Sequence, residues 1–122
     1  MTKPKRKDFE IRFYESLVKN NPRFRQAFSC LGDAYTRKGF YAEGRAVDER
    51  LVSLDPDDPT VHYNLACSLS LLGDIDGAFG ALKKAVLLGY DDYAYILDDP
   101  DLDNLRRDGR FKDFLSKLKK LR

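Results

Sequence analysis

Residues 59–88, PTVHYNLACSLSLLGDIDGAFGALKKAVLL, read as two helices broken at Leu72-Gly73-Asp74. Leu65, Leu69 and Leu72 recur at helical spacing in the first half, and Ala78, Leu82, Ala85 and Val86 do so in the second. So short a break makes the two helices antiparallel neighbours. The small side chains of Ala66 and Ala78 let their backbones approach where larger ones would hold them apart. A hairpin of this kind is a scaffold with no chemistry of its own.

The same unit occurs upstream. Asn20-Asn21-Pro22 and Asp55–Pro59 punctuate the chain, with Asn21 and Asp58 read as N-caps and Pro22 and Pro59 as first helical residues. Helices are predicted over 8–20, 22–38, 41–54, 59–72 and 75–88, and Gly39 is expected to stop the second in the left-handed conformation that glycine tolerates best. Sliding the chain by thirty-four residues pairs Phe28 with His62, Leu31 with Leu65, Gly32 with Ala66, Tyr35 with Leu69, Gly39 with Gly73 and Leu54 with Leu88. Carried backward, the same offset pairs Leu17 with Leu51, Val18 with Val52 and Pro22 with Pro56, so the first helix reads as the second half of a repeat. The copies differ at three core positions: His62 stands against Phe28, Gly44 against Ala78, and Asp48 against Leu82.

The first helix carries two apolar stripes, Phe9-Phe13-Leu17 and Ile11-Tyr14-Val18. One can dock on Phe24, Phe28 and Leu31. The other, assigned to Ile11, Tyr14 and Val18, is a candidate for self-association as a homodimer. From Asp91 the repeat stops, because Asp99, Pro100 and Asp103 fall where Leu65, Ala66 and Leu69 would recur. Residues 91–122 are expected to form a cap: a short helix from Asp99-Pro100 with Leu102 and Leu105, then an amphipathic helix with Phe111, Phe114, Leu115, Leu118 and Leu121 inward and lysines outward.

A chain of 122 residues, 43% hydrophobic, is one domain with a real core. The expected division is a basic disordered start over 1–7, a half repeat over 8–20, repeats over 22–55 and 59–90, and the cap over 91–122. No apolar run is long enough for a bilayer, and MTKPKRKDFE has no apolar signal-peptide core, so a cytoplasmic protein is expected. Cys30 and Cys67 lack close spacing and read as reduced thiols, with a disulfide as the other reading. A net charge of +2 does not by itself argue for nucleic acid, although the charges are segregated: basic at Lys3, Lys5, Arg6 and Lys7, acidic over 91–103, basic again at the end.

Catalytic constellations are missing from the pattern. His62, the one histidine, falls at a core position, and Cys67, five residues on, points elsewhere around the helix, so the two make no nucleophile and base pair. Metal-ligand spacing is lacking, DDYAYILDDPDLD has neither the central glycine nor the final glutamate of a calcium loop, and Gly73, Gly77 and Gly80 follow a helix where a phosphate loop follows a strand. No enzyme, no metal and no cofactor is expected.

Leu31-Gly32, Tyr35, Gly39 and Pro56, followed in phase by Leu65-Ala66, Gly73, Ala78 and Ala85, resemble the tetratricopeptide repeat family. The ending DD-P-D-L…RF…L is also similar to tails that close bacterial tetratricopeptide proteins. The resemblance implies an all-α right-handed stack of helix hairpins, an α-solenoid, in which first helices of successive repeats line a groove for a peptide or partner helix. On this chain those positions are Gln26, Ser29, Asp33, Thr36 and Arg37, then Thr60, Tyr63, Asn64, Cys67 and Ser70. Asn64 matches the residues with which some members clamp a terminal carboxylate, but Ser29 and Asp33 replace the lysine and asparagine needed. The implied function is a protein-interaction adaptor or scaffold. A self-associating structural subunit is the alternative, and nucleic-acid binding through the basic termini a third reading.

Overall fold

The structure, a computed structural model, describes residues 6–120; Lys3, Lys5 and Leu121 of the sequence reading lie outside them. The described residues form eight α-helices, one 3-10 turn and no strand. They are α1 (Phe9–Asn20), α2 (Arg25–Arg37), α3 (Tyr41–Leu54), α4 (Pro59–Leu71), α5 (Ile75–Leu87), α6 (Tyr93–Asp98), the 3-10 turn (Pro100–Leu102), α7 (Asp103–Arg106) and α8 (Phe111–Lys120). Sequential helices pack as antiparallel pairs, α2 on α3 and α4 on α5, with α1 against α2 and α3 against α4.

Local chemistry sets the boundaries. Asp8, Asp58, Asp74 and Asp92 each accept a hydrogen bond from a backbone N–H of the first turn they precede, and Pro59 occupies the position where a missing N–H costs nothing. At the far ends of α2 and α4, Gly39 (φ 86°) and Gly73 (φ 81°) turn left-handed. The Phe40 N–H then reaches the Tyr35 carbonyl at 2.8 Å and the Asp74 N–H the Leu69 carbonyl at 2.9 Å. This double closure satisfies carbonyls that the helix end would leave open. The two hairpin turns are therefore the same turn, thirty-four residues apart.

The Asn21-Pro22 reading is corrected. α2 starts at Arg25, not at Pro22, and Phe24 caps it without a side-chain hydrogen bond. Asn21 instead ends α1, its amide donating to the Leu17 carbonyl at 2.9 Å. Its own carbonyl accepts from the Phe24 N–H at 3.0 Å, as the Asp55 carbonyl accepts from the Asp58 N–H at 3.2 Å. Pro22 thus corresponds to Pro56 in an inter-repeat turn, and Pro59 has no counterpart.

Two apolar clusters fill the stack. Ile11, Leu31, Ala34, Tyr35, Val47 and Leu51 make the first, with Tyr14, Val18 and Phe28 packed on it. The second, larger one runs from Tyr63 through Leu82 and Val86 to Leu102, Leu105, Phe111, Leu115 and Leu118. The tail thereby packs on the last repeat, with the Phe114 ring tilted against Phe79 at 4.6 Å between ring centroids. One tail element, α6, went unread in the sequence. It opens at Tyr93, in step with Arg25 and Pro59 at intervals of thirty-four, and stops after six residues where Asp99-Pro100 intervenes.

The stripe assigned to self-association is corrected too. Ile11 is fully buried, and Tyr14 and Val18 pack beside it on the first cluster. Phe9 and Phe13, at 77% and 52% exposure, are the ones left in solvent. Where α1 crosses α2, Ile11 enters the first cluster, and around it Asp8 pairs with Lys38, Glu10 with Arg37 at 2.7 Å, and Glu15 accepts from the Tyr35 hydroxyl.

Candidate functional site

The inner faces of α2 and α4 and the α6 to 3-10 segment enclose a cleft of about 490 Å³, in the size range of ligand sites. Ser29, Asp33 and Thr36 line it from α2, and Tyr63, Asn64 and Cys67 from α4. Six residues expected on the groove from the resemblance therefore do meet at one concavity. Gln26, Arg37 and Thr60 are exposed but lie outside it. Arg37 is drawn to the α1 edge by Glu10 and Asp33, at 2.7 and 2.8 Å.

Ser70 requires a correction. It is fully buried and faces α7: its hydroxyl accepts from the Leu105 N–H at 3.2 Å and its carbonyl from the Asn104 amide at 2.9 Å. One helical turn beyond Cys67, α4 has left the cleft for the tail. Tyr63 and Cys67 are themselves buried, forming cleft wall more than rim. The Tyr63 hydroxyl donates to Asp99 at 2.6 Å and its ring stacks on Tyr90 at 4.2 Å.

Sequence reasoning missed two further residues of α2, Cys30 and Gly32, and others elsewhere along the cleft. Asp48 and Leu51 reach the cleft from α3, Ser68 from α4, and Tyr95, Asp99 and Asp101 from the tail. Asp99 gave a signal, as the polar residue standing in phase with Leu65, and so did Asp48, in phase with Leu82. Asp48 is 6% exposed and accepts one hydrogen bond among the described residues, from the Ser68 hydroxyl at 2.5 Å. Burial pushes its carboxyl up to about 6, with Ser68 partly offsetting this and the Glu49 charge adding to it. Asp101, half-buried, is also raised, first by burial and then by the charges of Asp99, Asp33 and Asp103. Carboxylates on opposite walls of the cleft thus sense one another, and no lysine, arginine or histidine is among the lining residues.

Cys67 and His62 have separate surroundings. The His62 ring Nε2 lies 2.7 Å from the Pro56 carbonyl, on the inter-repeat turn. The Cys67 thiol points at Asp99, 3.6 Å away, and burial followed by that carboxylate pushes its ionisation up, which holds it protonated and poorly nucleophilic. Cys67, Asp99 and Asp101 could offer ligand atoms within 4.8 Å of one another. Asp99, however, already accepts from Tyr63, from Cys67 and from the Asp101 N–H at 3.0 Å, so its lone pairs serve the local fold.

No protein-family model matches the chain. Over 90 residues it is 33% identical to a chloroplastic protein of Arabidopsis thaliana, an alignment covering 71% of this chain and 27% of that protein. Over 71 residues it is 32% identical to "Superkiller protein 3" of Schizosaccharomyces pombe, covering 58% of this chain and 5% of that protein. The chain matches only a minor part of either relative's length. None of the described helices is long and apolar enough to cross a membrane.

Proposed function

We propose that the chain is a non-enzymatic protein-interaction module, an adaptor or scaffold, whose cleft receives a segment of a partner protein. The observation that carries this is the cleft itself: a concavity between first helices at the repeat spacing, with the exposed polar side chains of Ser29, Asp33 and Asn64 along it. The resemblance of the repeat pattern to tetratricopeptide proteins supports the same use, and the similarity to parts of two longer proteins fits a module carried in different contexts. Two repeats make a short groove, so modest affinity is expected. A nucleic-acid ligand is disfavoured at this face, because the carboxylates lining it repel phosphate.

The test is selection of a random-peptide phage library on the chain, with counter-selection on a Ser29→Trp, Asn64→Trp variant. Both positions are exposed, so that variant should fold while its cleft is filled. Peptides retained by the parent alone support the reading; a selection yielding none that depend on the cleft refutes it.

One observation favours a second reading, self-association. Phe9 and Phe13 stack on each other at 6.3 Å in open solvent on the outer side of α1. A homodimer through these rings would appear as a mass rising with concentration in light scattering and abolished by Phe9→Glu, Phe13→Glu. A constant monomer mass for the parent eliminates it.

A further inference from the structure

We infer that the partner segment entering the cleft is cationic, and that an arginine side chain is the group it reads, held by Asp48 on the floor, Asp101 on the tail wall and the ring of Tyr95. This inference rests on the cleft being the partner-binding face and names the chemistry of what binds there.

The first support is a buried carboxylate with no countercharge. Asp48 stands in phase with Leu82, a fully buried core residue, yet it is itself nine-tenths buried and forms no ion pair among the described residues. An uncompensated carboxylate is among the costlier groups a helix interface can hold. Ser68 takes one oxygen, Oδ2. The other, Oδ1, lies beside Gly32, where a Cβ would sit 3.3 Å from it and 3.2 Å from Val47 Cγ1. In the second repeat the position of Gly32 holds Ala66. Absence of a side chain at Gly32 leaves a passage between α2 and α3 through which a carboxylate from the second helix of the repeat lines a cleft made by first helices.

The second support is independent and comes from the tail. Asp101 lines the same cleft, and its carboxylate takes part in no hydrogen bond or ion pair among the described residues; only its backbone N–H is engaged, by Asp99. The other lining carboxylates are occupied, Asp33 by Arg37 and Asp99 by Tyr63 and Cys67. The cleft therefore keeps acceptors open on its floor and on its far wall. Tyr95, 49% exposed and lining the same space, offers an aromatic face of the kind that guanidinium groups stack on. A guanidinium is the cation whose flat fork of donors bonds to separate carboxylates while lying on a ring, and it is less strongly hydrated than an ammonium.

The test is fluorescence anisotropy with a fluorescein-labelled Gly-Ser-Arg-Gly-Arg-Ser-Gly peptide, its Lys-for-Arg and Glu-for-Arg versions, and the free ions Ca2+ and Zn2+ as competitors. The arginine peptide should bind more tightly than the lysine version, the glutamate version should not bind, and added salt should weaken binding. Asp48→Asn and Asp101→Asn should each weaken it by about tenfold or more, while Asp113→Asn, on the outer face of α8, should leave it unchanged. Asp101 supports no other group through its side chain, so that variant remains a fair test even where Asp48→Asn alters the fold, and circular dichroism monitors both. No binding up to about millimolar protein, equal binding by parent and Asp101→Asn, or displacement by Ca2+ or Zn2+ at stoichiometric amounts overturns the inference. Cleft-dependent phage peptides lacking arginine and lysine would overturn it too and leave the partner-binding reading standing; a library without cleft-dependent peptides removes both.

Discussion

Asp48→Asn should make the protein more stable at neutral pH and flatten its stability profile between about pH 4 and 6. Asp48 titrates near 6 in the folded chain against an ordinary 3.8, chiefly because burial disfavours the charged form. A shift of about two units corresponds to about 3 kcal/mol between the two protonation states. The sign follows from proton binding. Between the two values the folded chain holds a proton that the unfolded chain has released, so stability falls as pH rises through this window. The Asp48 contribution is full below about 3.8 and lost above about 6. Asparagine keeps the shape and can still accept from Ser68 through its amide oxygen, but it carries no charge to desolvate. Urea denaturation of parent and variant at half-unit pH steps gives the difference directly, and the surface ion pairs, common to both proteins, cancel in it. The gap should open from little at pH 4 to about 3 kcal/mol at pH 7. Parallel curves across that range would show that the cleft solvates Asp48 well enough to erase the burial penalty.

Other substitutions probe the remaining elements. Leu118→Ala, at a site 2% exposed, should cost about 2–5 kcal/mol in urea denaturation, and truncation after Arg107 should lower the melting temperature and promote aggregation, because Phe111, Leu115 and Leu118 leave α4 and α5 uncovered. Ile11→Ala should cost a similar ~2–5 kcal/mol, whereas Phe9→Ala should stay within about 0.5 kcal/mol; the reverse order would place the wrong stripe of α1 inward. Gly73→Ala should cost about 1–2 kcal/mol through backbone strain alone, since φ is 81° and a Cβ there meets nothing within 4 Å.

How far the sequence disclosed this molecule depended on whether the deciding interaction was local. Gly39 and Gly73 were legible because a glycine after a leucine- or tyrosine-bearing helix has one economical use, the left-handed closure that both adopt. Asp58-Pro59 was legible for the same reason, since cap and proline act within one turn. Asn21-Pro22 offered the same two residue types, yet they form the inter-repeat turn, and the register of Pro22 with Pro56 was the better guide. Non-local facts stayed hidden. Two stripes on α1 are visible in the sequence, but which of them faces in depends on how α1 seats against Leu31, Tyr35 and Leu51 of the next two helices. Ser70 has the spacing of a groove residue and is claimed by α7: the amphipathic pattern of the tail announces a cap but not which residues of α4 it covers.

Asp48 joins these two kinds of fact. Its departure from the repeat is plain from the pairing with Leu82, but direction is what gives it meaning, and direction depends on Gly32 across the helix pair. Had the first repeat carried alanine and leucine there, as the second does with Ala66 and Leu82, the α2–α3 seam would have closed as the α4–α5 seam has, with both residues fully buried. The chain instead holds a glycine and an acid that match each other: Gly32 gives up a side chain where Asp48 needs space, and Ser68 from the next repeat supplies a single hydrogen bond to it. Three positions on three helices agree on keeping a carboxylate at the cleft floor at a cost to neutral-pH stability. Packing alone does not call for such agreement, and local rules broken in concert are the usual mark of a binding site. The pH profile of Asp48→Asn and its loss of arginine-peptide binding therefore test one argument from two sides: the same substitution should strengthen the fold and weaken the site.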